Sequence, residues 1–317
     1  MNVTMTRREM LMMLGMIGLG EVASACSHTT NAVRQAPPGS IASLKEHASA
    51  ISMIGPATDV NPGTQTYSFF LASQKGVIAD APVRVWAAKD EHSKASGPFT
   101  ATWYPLTGYD LTHDTSPRSP LAVGVYSAVV DLPSSGIWTL ASEVEAGAAR
   151  AIGTQAVPVV DSPVVAALGS KAVSVATPVA TTTRGLEEIC TRKPPDLMHY
   201  ISLDEALRNG KPTVVSFATP LLCESQMCGP VVDEQVLVFE RLGRQRANFI
   251  HVEEFLPGRD LKPPAATAQN LSPAFKAWDF ADEPWIIVID AKGVIRARLG
   301  PGSTAAPQIA AALQPLL

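Results

Sequence analysis

Two cysteines in the C-terminal part of the chain could carry redox chemistry. Cys223 and Cys228 are five positions apart, in a C-x4-C pattern. Because an α-helix turns about 100° per residue, two cysteines at this spacing on one regular helix point about 140° apart. They could not then meet the geometry of a disulfide. A Cys223–Cys228 disulfide therefore requires Cys223 to lie in a loop ahead of the helix, or the turn to be irregular.

The residues after Cys228 predict where that helix begins. Gly229 and Pro230 follow Cys228, and proline suits the first helical turn because its missing N–H would have no partner there. Cys228 would then lie at the helix N-terminus, where unpaired N–H groups and the helix dipole lower the pKa of a thiol. On this interpretation Cys228 is the reactive thiol and Cys223 resolves it. A structural disulfide that braces a loop, or a metal site, are the alternatives.

The N-terminus has the pattern of an export signal. Arg7 and Arg8 precede a short, glycine-interrupted apolar stretch over residues 11–19, and small residues at 23–25 precede Cys26. The two arginines resemble a twin-arginine export motif, or supply the positive charge of an ordinary signal peptide, and residues 23–26 resemble a bacterial lipobox. We expect export, lipidation of Cys26, and anchoring by acyl chains on the outer face of the cell membrane.

Cys190 is the odd cysteine once Cys26 is acylated. It could be a reactive thiol, an exchange partner of the Cys223–Cys228 pair, or a small buried apolar residue. Cys190, Met198 and His199 also offer soft and imidazole ligands that suit copper. A copper site is therefore an alternative prediction, and we expect no other metal or cofactor.

Composition limits the classes of function. The 317 residues are 46% apolar and 17% charged, with a net charge of −4, so the chain is globular and lacks the basic surface of a nucleic-acid-binding protein. The 26 prolines exceed the usual share of about 5% and indicate loops and extended segments.

Residues 67–160 contain short alternating segments separated by turn residues, which predict a β-sandwich. Residues 124–140 resemble the late strands of immunoglobulin-like domains in bacterial envelope proteins. Residues 196–317 instead predict a mixed sheet with helices on both faces. The predicted helices are 203–208, 231–242, 273–278 and 304–316, and the strands are 213–218, 247–252, 285–289 and 294–299.

The C-terminal order of elements resembles the thioredoxin-like superfamily, particularly its extracytoplasmic thiol–disulfide branch. A strand ending at Thr219 leads into the cysteine pair, and Cys228-Gly229-Pro230 matches the family's Cys-Gly-Pro-Cys with valine as the fourth residue. The resemblance implies that Pro284 is a cis-proline facing the cysteines. Aligning Cys223 with the family's first cysteine gives the opposite assignment of the nucleophile. Glu283 is the carboxylate placed to face the site, whereas Glu253 and Glu254 are predicted to form a solvated edge pair.

The predicted organisation has five parts. They are a signal peptide (1–25), a tether (26–60), an immunoglobulin-like β-sandwich (61–162), a Pro/Ala/Thr-rich linker (163–195) and a thioredoxin-like α/β domain (196–317). The expected function is thiol–disulfide exchange with exported proteins, coupled to a membrane electron donor or acceptor. The alternatives are a non-enzymatic envelope binding protein with a structural disulfide, and a copper chaperone similar to Sco-type proteins.

Overall fold

In the described part of the chain, eight strands of the first half form one sheet that closes on itself. The computed structural model describes residues 36–56, 60–146, 149–162, 167–256, 270–300 and 304–317. The eight strands are β1 (Ser49–Ile54), β2 (Gly63–Ser73), β3 (Gly76–Val77), β4 (Val83–Ala88), β5 (Ser96–Pro105), β6 (Gly124–Leu132), β7 (Gly136–Ala146) and β8 (Ala149–Val159). Their order is β1-β8-β7-β4-β5-β6-β2-β3, and β1 also pairs with β2. The described strands other than β3 therefore make a closed barrel.

Alternation of side chains fills the barrel interior. Along β6, Tyr126, Ala128, Val130 and Leu132 all point into the core, as the two-residue period of a strand requires. The rings of Phe69 and Tyr126 stack there with centroids 5.8 Å apart. Closure leaves the interior apolar and removes the unpaired edges that an open sheet would expose.

The strand that closes the barrel was not predicted. β1 pairs in parallel with β8 and antiparallel with β2, yet only Met53 of its six residues is fully buried. A strand with one buried side chain shows no alternation in its sequence, and residues 49–54 therefore carried no strand signal.

A second sheet in the described residues contains four strands, in the order β10-β9-β11-β12. They are β9 (Thr213–Phe217), β10 (Asn248–Val252), β11 (Trp285–Ile289) and β12 (Ile295–Leu299). β9 and β10 are parallel, and the other neighbours are antiparallel. Every residue of β9, β10 and β11 is buried. β11 therefore appears in the sequence as an uninterrupted apolar run, whereas the apolar residues of β9 and β10 are interspersed with buried polar ones such as Ser216 and His251.

Short helices surround the two sheets. They are α1 (Ile41–Lys45), α2 (Gly108–Thr112), α3 (Leu203–Ala206), α4 (Cys228–Arg246), α5 (Pro273–Trp278) and α6 (Ala306–Leu313), followed by a 3₁₀ turn at Gln314–Leu316. Of the described helices, none is long and apolar enough to cross a membrane. The α5 boundaries match the sequence prediction. α4 begins at Cys228, where Gly229 and Pro230 predict the helix N-terminus, three residues before the predicted span 231–242.

The segment between the two sheets packs against the second one. The Ala172 N–H donates to the Gly293 carbonyl oxygen, and the Asp204 N–H donates to that of Val175. Val173 and Val175 pack on the apolar cluster beneath β9 and β11. We call the described residues 167–202 the arm. The sequence predicted a linker over residues 163–195, and the contacts show that this segment packs along the second sheet.

Helix α4 joins the barrel to the second sheet through two adjacent buried carboxylates. Glu234 accepts hydrogen bonds from the backbone N–H of Gly108 (2.7 Å) and of Ala306 (2.8 Å). Asp233 accepts from the Thr112 hydroxyl at 2.7 Å. A Cβ on Gly108 would lie 2.6 Å from the Asp233 backbone, so only glycine permits this approach.

The same helix carries a buried ion pair. The Arg192 guanidinium donates through Nε and Nη2 to Asp233 Oδ1, at 3.0 and 2.8 Å, and both side chains are almost fully buried. Burial, and then the nearby Asp114 charge, raise the pKa of Asp233 to about 6 despite the arginine. Arg192 therefore ties the arm, the helix and the barrel's α2 together at one point.

The predicted fold class is wrong. Strand accounts for 37% and helix for 20% of the structure, which is predominantly β with a closed barrel. The first half is all-β, as predicted, but its described strands close into a barrel instead of forming two facing sheets, and the described C-terminal part does not form a thioredoxin-like α/β fold. Strands in a sandwich and in a barrel show the same alternation, since both bury one face. Only the long-range β1–β2 pairing distinguishes them.

The described residues from 36 onward also belong to one compact unit, which the local order of helices and strands could not indicate.

We expect Arg192→Met to destabilise the protein by about 3–5 kcal/mol, because it leaves the Asp233 carboxylate buried without its partner. The measurement is chemical denaturation of the wild type and the variant. Lys45→Met is the matched control, since Lys45 and Glu91 form an exposed pair at 2.9 Å worth about 0–1 kcal/mol. Equal losses in the two variants would contradict the role given to Arg192.

Candidate functional site

The cysteine pair lies where β9 leads into α4. Cys223 and Cys228 form a disulfide with their Cα atoms 6.0 Å apart. Cys228 is the first residue of α4, and Cys223 lies in the turn ahead of it. Gln226 adopts a left-handed conformation (φ 54°), and its N–H donates to the Cys223 carbonyl oxygen. This irregular turn brings the sulfurs together, as the C-x4-C spacing requires.

The two sulfurs differ in accessibility. Cys228 is 0% exposed, whereas Cys223 is 7% exposed. Cys223 Sγ also lies 3.3 Å from the Ser225 hydroxyl oxygen, and residues 224–226 are exposed. A partner that reaches the disulfide from solvent therefore meets Cys223 first.

A carboxyl group stands beside the disulfide. Glu283 has an oxygen within 4.8 Å of both sulfurs, and its peptide bond to Pro284 is cis. Burial, followed by the charges of Glu254 and Glu253, raises the pKa of Glu283 well above its usual value. The raised pKa favours the protonated form of Glu283, which can give a proton to a sulfur.

Glu254 forms a coupled pair with Glu283. Burial raises the pKa of Glu254 to about 7, and the charges of Asp282 and Glu224 act in the same direction, while a hydrogen bond with Glu283 opposes them. The Thr219 hydroxyl oxygen accepts a hydrogen bond from the Glu254 N–H at 2.7 Å. The pair therefore gains a negative charge, through deprotonation of Glu254, as pH rises through about 7.

The prediction that Glu253 and Glu254 are a solvated edge pair is wrong. Both are buried, at 5% and 8% exposure. Glu253 accepts hydrogen bonds from the Thr191 N–H (2.6 Å) and hydroxyl (2.9 Å). Thr191 belongs to the arm, which covers this end of β10. Two adjacent acidic residues indicated side chains exposed to solvent. The segment that covers Glu253 contains Thr191, more than 60 residues away in sequence, so no local pattern could predict its burial.

A second polar cluster lies in the same part of the protein, beside Ala218 at the end of β9. Cys190, Asp196, His199 and His251 bring one potential ligand atom each within 4.8 Å of one another. Cys190 and His199 are two of the three predicted copper ligands, whereas Met198 is fully buried in the apolar cluster that contains the disulfide. The sequence did not single out Asp196, and it placed His251 only within the predicted strand 247–252. Asp196 and His251 are 55 positions apart in the sequence, so no short motif connected them with each other or with Cys190.

The predicted export and lipidation residues, Arg7, Arg8 and Cys26, lie outside the described residues. The assignment of Cys26 and the predicted domain boundaries stay predictions.

Comparison with known proteins yields no family. No family model and no curated protein matches this chain. Among solved structures, the solution structure of the PKD domain from human VPS10 domain-containing receptor SorCS2 covers 44% of this chain and 96% of that domain, with 16% identity and a TM-score of 0.17. A TM-score this low carries no argument about fold or function. The identification with the thioredoxin-like superfamily is wrong: the structure is mostly β with a closed barrel, and no family model supports the resemblance.

Proposed function

We propose that this chain exchanges thiols and disulfides with partner proteins outside the cytoplasm, through the Cys223–Cys228 disulfide. The observation that carries the proposal is the placement of this disulfide at a helix N-terminus beside the Glu254–Glu283 carboxyl pair. Thiol–disulfide exchange needs a stabilised leaving thiolate and a proton donor, and this placement offers both.

Exposure favours Cys223 as the sulfur that exchanges with partners. The sequence favoured Cys228 as the attacking thiol, but Cys228 has no contact with solvent. Cys228 keeps the benefit of the helix N-terminus, where its thiolate is stabilised as the leaving group. We therefore assign Cys223 to the mixed disulfide and Cys228 to its resolution.

The proposed exchange takes place in two displacement steps at sulfur. A partner thiolate attacks Cys223 Sγ, the Cys223–Cys228 bond breaks, and a partner–Cys223 bond forms. Cys228 leaves as a thiolate and takes up the proton of the carboxyl pair. A second partner thiolate then attacks the partner's own sulfur in the mixed disulfide, and Cys223 leaves as a thiolate. The partner dithiol is oxidised and the cysteine pair is reduced. The reverse sequence reduces a partner disulfide, and the reduction potential decides the direction.

The proposed partners are exported proteins with thiols or disulfides, together with a membrane electron donor or acceptor that restores the cysteine pair. An oxidising compartment outside the cytoplasm suits such a disulfide. The proposal places the chain at the outer face of the cell membrane, held there through Cys26.

One observation favours a second candidate, a non-enzymatic binding protein with a structural disulfide. Both cysteine residues are buried, and disulfides that serve only stability are commonly inaccessible. The reduction potential separates the two candidates, because structural disulfides resist reduction.

We expect the Cys223–Cys228 couple to be reduced between about −120 and −270 mV, the span of catalytic disulfides. The measurement is a redox titration of the full chain, following free thiols by mass spectrometry. Cys190→Ser provides a background without the third described cysteine. A couple that stays oxidised below about −300 mV would instead establish the structural disulfide.

Trapping of a mixed disulfide identifies the exchanging sulfur. In Cys228→Ser, Cys223 has no resolving partner, so glutathione disulfide should leave a stable adduct of one glutathione on Cys223. Cys223→Ser is the matched variant, and its buried Cys228 should react at least about tenfold more slowly. Faster labelling of Cys228 than of Cys223 would return the nucleophile's role to Cys228.

We expect the exchange rate, calculated per partner thiolate, to fall as pH rises through about 7. Below this pH the carboxyl pair holds the proton that the leaving Cys228 thiolate takes up, and above it the pair is charged and repels the incoming thiolate. The fall should be about tenfold or more and absent in Glu254→Gln, which removes the group that titrates near pH 7. Stopped-flow reduction by glutathione between pH 5.5 and 8.5 measures it. Glu240→Gln, an exposed substitution on the same helix as Cys228, is the control, and an unchanged profile in Glu254→Gln would exclude the carboxyl pair as the source of the pH dependence.

A further inference from the structure

We propose that Cys190, Asp196, His199 and His251 form a binding site for one tetrahedrally coordinated divalent metal ion of the Zn²⁺ type. The site is separate from the disulfide and from the exchange reaction proposed for it. It uses one thiol, one carboxylate and two imidazoles, which are the ligand types of protein zinc sites.

Two segments bring the four ligands together. Cys190, Asp196 and His199 lie in the arm, and His251 lies on β10. Asp196 Oδ2 is 2.8 Å from His251 Nδ1, 3.2 Å from Cys190 Sγ and 3.7 Å from His199 Nε2. Cys190 Sγ is 3.8 Å from His251 Nδ1. Ligands about 2.0–2.3 Å from a tetrahedral zinc ion are separated from one another by about 3.3–3.8 Å, so small movements suffice to admit an ion.

His251 and Asp196 each have one polar atom that makes a hydrogen bond outside the cluster, which leaves the other directed into it. His251 Nε2 faces the Ala218 carbonyl oxygen at 2.9 Å, which leaves Nδ1 directed into the cluster. Asp196 Oδ1 accepts from the Met198 N–H at 2.9 Å, which leaves Oδ2 directed the same way. Metal-bound histidines usually donate their second ring N–H to a carbonyl or carboxylate, which fixes the orientation of the ring.

A separate observation also indicates a ligand: one ring nitrogen of His199 is buried without a hydrogen-bond partner in the described part of the chain. His199 is 6% exposed, and its Nε2 has no hydrogen-bond partner among the described residues. A buried ring nitrogen without a partner is costly in a folded protein. Coordination of a metal ion would satisfy it.

The arrangement does not suit a cysteine nucleophile activated by a histidine and an aspartate. In such a triad the cysteine and the aspartate contact opposite nitrogens of the imidazole. Here Cys190 Sγ and Asp196 Oδ2 both face Nδ1 of His251, and Nε2 is engaged by the backbone. All four groups converge on one point, which is the geometry of a metal site.

The ligand set indicates the metal. A carboxylate is a poor ligand for Cu(I), which prefers thiolate and thioether, and a thiolate is a poor ligand for Mg²⁺ or Ca²⁺. Zn²⁺ accepts all three ligand types. A cavity of about 120 Å³, lined by His199, His251 and Glu253 among others, adjoins the cluster and gives an ion a route to it.

The test uses the full chain, purified, treated with chelator, and kept without reductant so that Cys223–Cys228 stays oxidised. We expect one Zn²⁺ per chain in a competition titration with a chromogenic chelator. Co²⁺ in its place should give a thiolate-to-cobalt charge-transfer band that disappears in Cys190→Ser. His199→Leu should weaken Zn²⁺ binding by more than the roughly 10- to 100-fold cost of losing an outer-shell partner. His92→Ala, in an exposed turn, should bind as the wild type does.

His199→Leu also separates a metal ligand from a residue that only supports the fold. Because His199→Leu also removes the 3.7 Å contact with the Asp196 carboxylate, the wild type and the variant are each compared with their own metal-free form. Zn²⁺ should raise the unfolding temperature of the wild type and not that of the variant. Three results would overturn the proposal: no stoichiometric Zn²⁺ binding, binding that survives both His199→Leu and Cys190→Ser, or binding that requires Cys223 and Cys228.

Discussion

The structure depends on the burial of two neighbouring carboxylates, Asp233 and Glu234, in the second turn of α4. Glu234 is held by backbone N–H groups from the barrel side and from the start of α6, and Asp233 by Arg192 of the arm. Buried charges are tolerated only when they are paired and hydrogen-bonded. The positions of the barrel, the arm and the second sheet are therefore coupled, because each supplies a partner without which a charge in α4 would be left unsatisfied.

This constraint also orients the disulfide. Cys228 lies five residues before Asp233 on the same helix, so the contacts that hold α4 against the barrel also hold its first turn. Gly229 packs close to the Asp114 carboxylate and Ser116 on the barrel side, and the Ser119 N–H donates to the Gln226 carbonyl oxygen. The barrel thus buries one side of the cysteine turn, and Cys223 retains the small exposure that remains.

The two polar clusters share the ends of β9 and β10. Thr219, which follows β9, contacts the segment that carries Glu254, and Ala218 beside it contacts His251. Glu253 lies between the clusters, 3.7 Å from His251 Nε2, and its charge contributes to the raised pKa of Glu283. A change of charge in one cluster therefore acts on the other through a few buried groups, in surroundings where electrostatic interactions are weakly screened.

The sequence by itself determined the local features of this protein. Short, mainly apolar and β-branched or aromatic segments identified β9, β10 and β11, because both faces of these strands are buried. Gly229 and Pro230 located the start of α4, and the C-x4-C spacing required the irregular turn that precedes it. Tertiary structure alone decided the rest. The closing strand β1 has one buried residue and no readable pattern, so barrel closure followed from pairing with partners about 20 and 100 residues away. The burial of Glu253, and the convergence of Asp196 and His251 on Cys190, depend on the path of the arm across β10. Contacts between residues distant in the chain leave no periodicity in either segment, and for that reason sequence analysis could name Cys190 and His199 but could not assemble their site.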